Sequence, residues 1–334
     1  MPGVELRRFW VRNFKSLRDF SLEVKSRLTA VTGPSGSGKT SLVEVFELWR
    51  DVVEYVRGNA TNPFLKWWGY DQVVWRHDET LPIVLGLELS AGDMRVRYEL
   101  ELYGRGADER VEVETGSNRL EYSGGVLRPG GVALRRTLLF AVCAGEPVPA
   151  GAGDAGTLLA AVSEVCRFAG NFAVLKELNL TELRRPQRPM GQTRLMPDAS
   201  NLVPLLMQLT GGRPTQQVEE TLRLLGYVSM SFPLAEDGRM YLKLTRADGV
   251  SVTQATAPTS VFKALALETA LLTKPALVAV DDFDCHLDDR LQTHLMDRLA
   301  NSDAYVIATA TSETALRRAQ VVKLALRDGE TKLL

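Results

Sequence analysis

The sequence predicts an α/β fold in two lobes: a mixed core sheet with an antiparallel β side sheet, and a helical lobe carrying a small β-hairpin. Three observations predict it. Near the N-terminus a strand-like run enters a glycine-rich loop that opens an amphipathic helix. A long stretch of two-residue alternation follows. After a helical middle, the C-terminal part returns to alternating helix and strand patterns. At 334 residues the chain is long enough to bury a substantial core.

The opening "VELRRFWVRNFKSLRDFSLEVKSRLTAVTG" gives short β-rich runs, the last of which, "RLTAV", leads straight into glycine. From Lys39 to about Val56, Leu42, Val45, Phe46 and Trp49 recur at helical spacing, which predicts a helix. An aromatic-rich connector, "NPFLKWWGYDQVVWRHDET", follows. Between Leu81 and about Leu127 apolar and polar residues alternate, and "AGD", "GRGADE" and "TGSN" supply turn chemistry. This stretch predicts an antiparallel meander with one solvated face. The segment "AGEPVPAGAGDAG" reads as a mobile loop.

Helical patterns then run from Leu158 to about Leu209, broken by "RRPQRPMGQTRLMPDASN". A short helix over "TQQVEETLRLLG" precedes a second hairpin over "RMYLKLTRADGVSVTQ". The remainder reads as helix, strand, helix, strand: "VFKALALETALL", "ALVAV", "RLQTHLMDRLA", "AYVIATA". The predicted core lobe with its side sheet is therefore residues 1–140 plus 250–334, and the helical lobe is 141–249. No internal repeat or sustained heptad pattern is present.

Composition excludes several function classes. The formal net charge is −1, so no global field draws the chain to nucleic acid or acidic lipid. No apolar run approaches the roughly 18 residues a membrane span needs. The N-terminus has no apolar leader core, so the expected location is cytoplasmic. Cys143, Cys166 and Cys285 are too few and too scattered to suggest a disulfide framework, and the histidines lack zinc-ligand spacing.

The strongest signal is "GPSGSGKT", which fits the phosphate-binding P-loop pattern G-x-x-x-x-G-K-[ST]. Gly33, Pro34, Ser35, Gly36, Ser37, Gly38, Lys39, Thr40 and the adjoining Ser41 form the expected nucleotide-binding segment. Gly36 and Gly38 permit a tight turn that points backbone N–H groups at phosphate oxygens. Lys39 would neutralise the β- and γ-phosphates, and the Thr40 hydroxyl would ligate Mg²⁺. The helix beginning at Lys39 adds its positive dipole end. ATP and Mg²⁺ are the expected ligands.

The second signal is "ALVAVDDFDCHLDD". In a P-loop fold a strand beside the first one presents an aspartate to the magnesium shell, and Asp281 is in that place. Asp282 then stands where a water-activating carboxylate belongs. The competing reading is that the pair simply opens a turn.

These segments resemble the ABC-type ATPase heads of the RecF/SMC-like group, including its archaeal and bacterial "AAA family ATPases". The block "VRNFKSLRDFSLEV…LTAVTGPSGSGKTSLVEVFEL" carries the likeness most specifically. "LMPDASNLVPLL" resembles an aspartate–glycine–serine–asparagine–leucine segment of the family, with Ala199 in the glycine's place. "FDCHLDD" occupies the D-loop, with Leu287 and Asp288 matching. The resemblance implies an ATP hydrolase that associates head to head or with a partner protein, and a place in DNA repair or genome defence.

Three departures from the family pattern bear on turnover. The family has glutamate where Asp282 stands, so the carboxylate is retracted by about one C–C bond, roughly 1.5 Å. Where a Ser-x-Gly-Thr signature belongs, the chain reads "ATAPTS"; Pro258 has no N–H and Thr259 places a side chain near the glycine position. Thr311 replaces a histidine that, by resemblance, hydrogen-bonds the γ-phosphate; a hydroxyl is shorter and never charged. Altered catalytic positions beside intact binding positions predict slow or partner-dependent hydrolysis by Asp282 and Thr311. The alternative is an ATP-sensing switch without useful turnover.

Other candidates keep two readings. Gln72 is either a solvated loop amide or, by resemblance, the glutamine that links the magnesium to the second lobe. Trp67, Trp68, Tyr70 and Trp75 read as a packed aromatic corner, with stacking on adenine as the alternative. "RRPQRP" with Arg194 reads as a solvated basic loop, with a nucleic-acid backbone as the alternative partner. Arg317 and Arg318, placed on a final helix, read as surface charge.

Overall fold

A computed structural model describes residues 3–60, 62–116, 118–125, 137–145, 155–189, 191, 193–312, 317 and 319–334. Most of the glycine-rich loop expected at 144–156 and Arg318 lie outside the described residues. The N-terminal elements are β1 (Val4–Phe14), β2 (Leu17–Glu23), β3 (Leu28–Thr32) and α1 (Lys39–Val56). The meander follows as β4 (Ile83–Ala91), β5 (Met94–Tyr103), β6 (Gly106–Thr115) and β7 (Asn118–Gly125). The middle of the chain contains α2 (Leu138–Ala144), α3 (Ala155–Ala169), β8 (Phe172–Leu175), α4 (Leu180–Leu183), α5 (Leu202–Thr210) and α6 (Gln216–Leu224). It continues with β9 (Tyr227–Ser231), β10 (Lys243–Arg246) and β11 (Ser251–Thr253). The C-terminal elements are α7 (Thr259–Leu272), β12 (Leu277–Val280), α8 (Asp289–Ala300), β13 (Tyr305–Thr309), β14 (Gln320–Arg327) and β15 (Glu330–Leu333).

By contacts the chain divides into two compact units. Met1–Ser26, Thr32–Phe172 and Val322–Leu334 form unit 1; Arg27–Val31 and Ala173–Val321 form unit 2. This cut differs from the sequence-based lobes because it follows packing rather than composition.

Unit 1 is built on a six-stranded antiparallel sheet of order β2-β1-β4-β5-β6-β7. Strict alternation sends Leu85, Leu87, Leu89, Val96, Tyr98, Leu100, Val111 and Val113 to one face, all fully or nearly fully buried. The helix α1 packs in the same unit, with Phe46 edge-on to Phe9 at 5.0 Å and Trp49 against Tyr98 at 6.1 Å. The opposite face carries Arg95, Arg97, Glu112 and Glu114 in cross-strand register, as the sequence predicts for a solvated face. Trp10 also lies on that face. Its indole donates to Glu99 at 2.7 Å and occupies the space a Cβ would need at Gly86, its cross-strand neighbour.

Glu109 falls on the buried face by the same alternation and is 3% exposed. It is satisfied by Tyr98 Oη at 2.7 Å and by the backbone N–H groups of Leu138 and Leu139, the first two residues of α2. Burial pushes its carboxyl up to about 7, against the opposing pull of those donors. Thr137 caps the same helix through Phe140 N. The C-terminal end of α2 is tied to α3 by a disulfide between Cys143 and Cys166, whose Cα atoms are 6.4 Å apart. The scattered cysteines gave no sign of this bond, because only the fold brings the two helices together.

Unit 2 holds a parallel run of β3, β13 and β12 in register, with β8 beside β12. The strand β8 corrects the sequence reading, which carried helix through "NFAVL"; its four residues are all buried, and a continuous apolar run has no period to distinguish the two states. A second correction is the three-stranded sheet β11-β10-β9 where only a hairpin was expected. A third, lying almost wholly in unit 1, is the antiparallel hairpin β14–β15, turned by Asp328 and Gly329, in a region for which no strand was expected. The core of unit 2 packs α5, α6, α7 and α8 with β3, β8, β12 and β13 and with the β9–β10 pair. Every residue of α7 from Val261 to Ala270 is buried, including Lys263 and Glu268. Glu268 is held by Arg298 at 3.1 and 3.2 Å and by Thr221 at 2.8 Å, which answers the cost of burying it.

Candidate functional site

The glycine-rich loop belongs to unit 1 and the acidic strand end to unit 2. In unit 1 the loop leaves β3 and turns through Gly36 and Gly38, both in the left-handed region at φ 78° and 96°. Gly38 has a second reason to be glycine: a Cβ there would collide with the hydroxyls of Thr331 and Ser16. Helix α1 starts at the next residue, exactly where the motif places it, and Gly38 offers no side-chain cap to its first turn. The first N–H groups of a helix have no intrahelical partner, so here they face whatever the loop encloses. The Lys39 ammonium folds back over the loop and donates to the carbonyls of Gly33 and Pro34 at 2.9 and 3.1 Å. Ser37 is 1% exposed, and its hydroxyl has no hydrogen-bond partner among the described residues. Thr40 is exposed and Ser41 half-buried at the mouth of the helix.

Two buried carboxylates anchor α1. Glu44 pairs with Lys15 at 2.5 Å and Glu47 with Lys66 at 2.7 Å. The aromatic connector supplies part of that anchor: Trp67 donates to Glu44 at 3.3 Å and lies under both lysines. Tyr70 and Trp75 are buried, as a packed corner requires. Trp68 departs from that reading, being 92% exposed at a left-handed φ of 70°. Gln72 is exposed, and its amide donates to the adjacent Asp71 at 2.5 Å, the behaviour of a solvated loop amide.

In unit 2 the strand β12 is followed directly by Asp281, which is 7% exposed, and Asp282 comes next in the left-handed region at φ 44°. Thr309, the last residue of β13, joins the two acids. Its hydroxyl donates to Asp281 Oδ1 at 2.7 Å and accepts from the Asp282 N–H at 2.7 Å. Lys263 of α7 donates to the Asp281 carbonyl at 3.0 Å. Burial pulls its ammonium below the usual lysine value, against Cys285, Asp281, Asp282 and Asp284 nearby. Asp281 is thus held at its backbone and at one carboxylate oxygen, whereas Asp282 is exposed.

Thr311 lies just beyond β13, and its hydroxyl donates to Asp284 Oδ2 at 2.8 Å. The structure therefore brings Asp281 and Asp282 together through Thr309, and Thr311 to Asp284. Sequence reasoning missed Thr309, Lys263 and Asp284 as supporting groups. Each left a signal: a hydroxyl closing an apolar strand, a cation inside an apolar helix, and an acid two residues beyond the aspartate pair.

The "DASN" segment has its own role in unit 2. Asn201 accepts from Met196 N at 2.8 Å and donates to the Arg194 carbonyl at 2.8 Å, closing the loop before α5. Ala199, in the place of the resembled family's glycine, is fully buried at φ 55°. The loop of Arg184, Arg185 and Arg188 is exposed, in line with the solvated basic reading.

Mg²⁺ favours oxygen ligands and takes one or two carboxylates with substrate phosphates rather than a closed protein cage. Each unit by itself offers an oxygen donor of that kind: unit 1 the Thr40 hydroxyl, and unit 2 the Asp281 carboxylate, whose orientation Thr309 fixes. Among the described residues no group of three or more His, Cys, Asp or Glu side chains could hold a metal by itself. No described helix is long and apolar enough to cross a membrane.

Comparison with known proteins agrees with this architecture. A family model described as an AAA domain matches residues 11–49, from β1 into α1. No curated protein matches the chain. Among solved structures, an SMC head bound to the C-terminal winged-helix domain of ScpA is similar with a TM-score of 0.60 at 13% identity, covering 98% of this chain and 96% of that one. The SMC head with an extended coiled coil from Pyrococcus furiosus, bound to the C-terminal domain of ScpA, gives 0.57 at 12% identity over 99% and 96%. The SMC head with coiled coil and joint from Pyrococcus yayanosii gives 0.56 at 10% identity over 99% and 97%. The chain has the fold of an SMC head domain.

Proposed function

We propose that this chain is an Mg-ATP-binding ATPase of the SMC-like head type, with slow or partner-dependent hydrolysis. One observation supports it above the rest: an uncapped helix N-terminus opens from a loop built on left-handed glycines, with a lysine folded over it. That arrangement offers backbone donors, a helix dipole and a mobile cation to a polyphosphate. On this reading residues 33–41 bind the triphosphate, Thr40 and Asp281 ligate Mg²⁺, Asp282 serves as a weak general base, and Thr311 contacts the γ-phosphate. Gln72 is the remaining candidate for the magnesium shell.

A second reading, an ATP-sensing switch without useful turnover, draws on Asp282. Its retracted carboxylate sits on a left-handed backbone, and a misplaced base forfeits much of its roughly 10²–10⁴-fold contribution. Single-turnover cleavage of ATP separates the two. On the ATPase reading Asp282→Asn lowers the rate; a rate unchanged by that substitution removes the base and leaves the switch. Nucleotide-dependent association of two heads, or docking of a partner protein as the SMC head docks ScpA, would be the output in either case. A place in DNA repair or genome defence rests on the family resemblance.

A further inference from the structure

One carboxylate oxygen in unit 2 collects three donors. Asp284 Oδ2 accepts from the Thr311 N–H at 2.8 Å, from the Thr311 hydroxyl at 2.8 Å and from the Ser312 N–H at 2.6 Å. The same segment is fastened a second time, because the Ser312 hydroxyl donates to Gln292 Oε1 at 2.7 Å. Gln292 in turn donates to the Leu287 carbonyl at 2.8 Å, on the loop that carries Asp284. The residues that follow the acidic strand and those that follow β13 are therefore one hydrogen-bonded assembly.

This assembly has a chemical consequence for Thr311. A hydroxyl has one proton, and here it is given to Asp284. While that bond stands, Thr311 presents oxygen lone pairs to anything that approaches, and lone pairs repel a phosphate oxygen. We propose that Asp284 is the positioning residue of the candidate γ-phosphate contact: it holds the 311–312 segment in place and withholds the Thr311 proton from phosphate until that bond opens. The proposal rests on the nucleotide reading above, in which Thr311 stands at the γ-phosphate. It reverses the simple expectation that Thr311 senses phosphate unaided.

The test is a double-mutant cycle read as the ratio of ATP to ADP affinity, measured by calorimetry with Mg²⁺ present. In the unmodified chain Thr311→Val does not lower the ratio, since the proton is already committed to Asp284 and the lone pairs it leaves give phosphate nothing to bind. Asp284→Ala frees it and raises the ratio about fivefold, the size of one ordinary hydrogen bond. Adding Thr311→Val to Asp284→Ala cancels that gain. If the gain survives in the double variant, it comes from removing a negative charge, and the positioning role is overturned. It is overturned equally if Thr311→Val alone lowers the ratio fivefold.

Amide hydrogen exchange gives a readout without nucleotide. The Thr311 and Ser312 amides should be protected in the unmodified chain and exposed by Asp284→Ala, with far-UV circular dichroism unchanged. Unprotected amides in the unmodified chain would reject the Asp284 role even where ATP binds. Failure of the unmodified chain to bind ATP, with those amides protected, would reject the nucleotide reading and the sensing role built on it.

Discussion

The glycine-rich loop and the acidic strand end are held in different ways. The loop is a backbone device: left-handed glycines and an uncapped helix shape it, and its cation, Lys39, bonds to the loop's own carbonyls. The acidic end is a side-chain device, in which the Thr309 hydroxyl links the Asp281 carboxylate to the Asp282 backbone N–H, Lys263 holds a carbonyl, and Asp284 fastens the segment beyond β13. A backbone device tolerates little change in sequence, because few residues other than glycine accept its torsions. A side-chain device can exchange one hydrogen-bonding group for another and keep its shape. This difference accounts for a loop that fits its motif completely beside an acidic end that departs from the resembled family at Asp282 and Thr311.

The first consequence to test is the largest. Lys39→Ala removes the loop's cation, and with it two charge-assisted hydrogen bonds to phosphate, together worth roughly 3 kcal/mol or about 10²-fold in ATP affinity. Because Lys39, among the described residues, bonds to carbonyls of its own loop, the melting temperature should stay within about 2 °C of the unmodified chain. A binding loss without a stability loss is the mark of a backbone-built site.

Glu109 sharpens the same point. It places a carboxylate on the first amides of α2, as the loop would place a phosphate on the first amides of α1. Its carboxyl is raised from 4.5 to about 7 by burial. A carboxyl raised by folding adds stability that is fully present below its unfolded value and is lost as pH rises through about 7. Chemical denaturation from pH 4.5 to 8 should therefore show up to about 3 kcal/mol of stability lost. Glu109→Gln should flatten that part of the slope. An identical slope in the variant would show that the charge is not the cause.

The smallest effect concerns Ala199. A buried alanine at φ 55° carries a strain of about 1–2 kcal/mol. Ala199→Gly relieves it but gives back part of the gain as added freedom in the unfolded chain. Net stabilisation of about 0.5 kcal/mol by denaturant midpoint is expected. Destabilisation would mean that the loop uses the alanine methyl for packing.

The helix α1 was legible to the residue, because glycine, lysine and apolar spacing agree on where it starts and runs. The meander was legible from its alternation, and β12 from an apolar run ending in acid. What stayed hidden was decided by tertiary context. The strand β8 is a four-residue apolar run, too short for a period. The disulfide joins cysteines that only packing brings together. At the site, the residue types of Asp281, Asp282 and Thr311 could be read, but their partners could not. A threonine at the end of a strand gives no sign in sequence that its hydroxyl bridges two aspartates.

On the proposed reading, a triphosphate bound by residues 33–41 would carry a Mg²⁺ ion with Asp281 as its protein carboxylate. Calorimetric titration of ATP into the unmodified chain and into Asp281→Asn, each with Mg²⁺ and with chelator, tests it most directly. Asparagine keeps an oxygen for the Thr309 hydroxyl while removing the charge. Mg²⁺ should tighten ATP binding by about tenfold or more in the unmodified chain and hardly at all in the variant. Equal tightening in both, or no ATP binding by the unmodified chain, would contradict it.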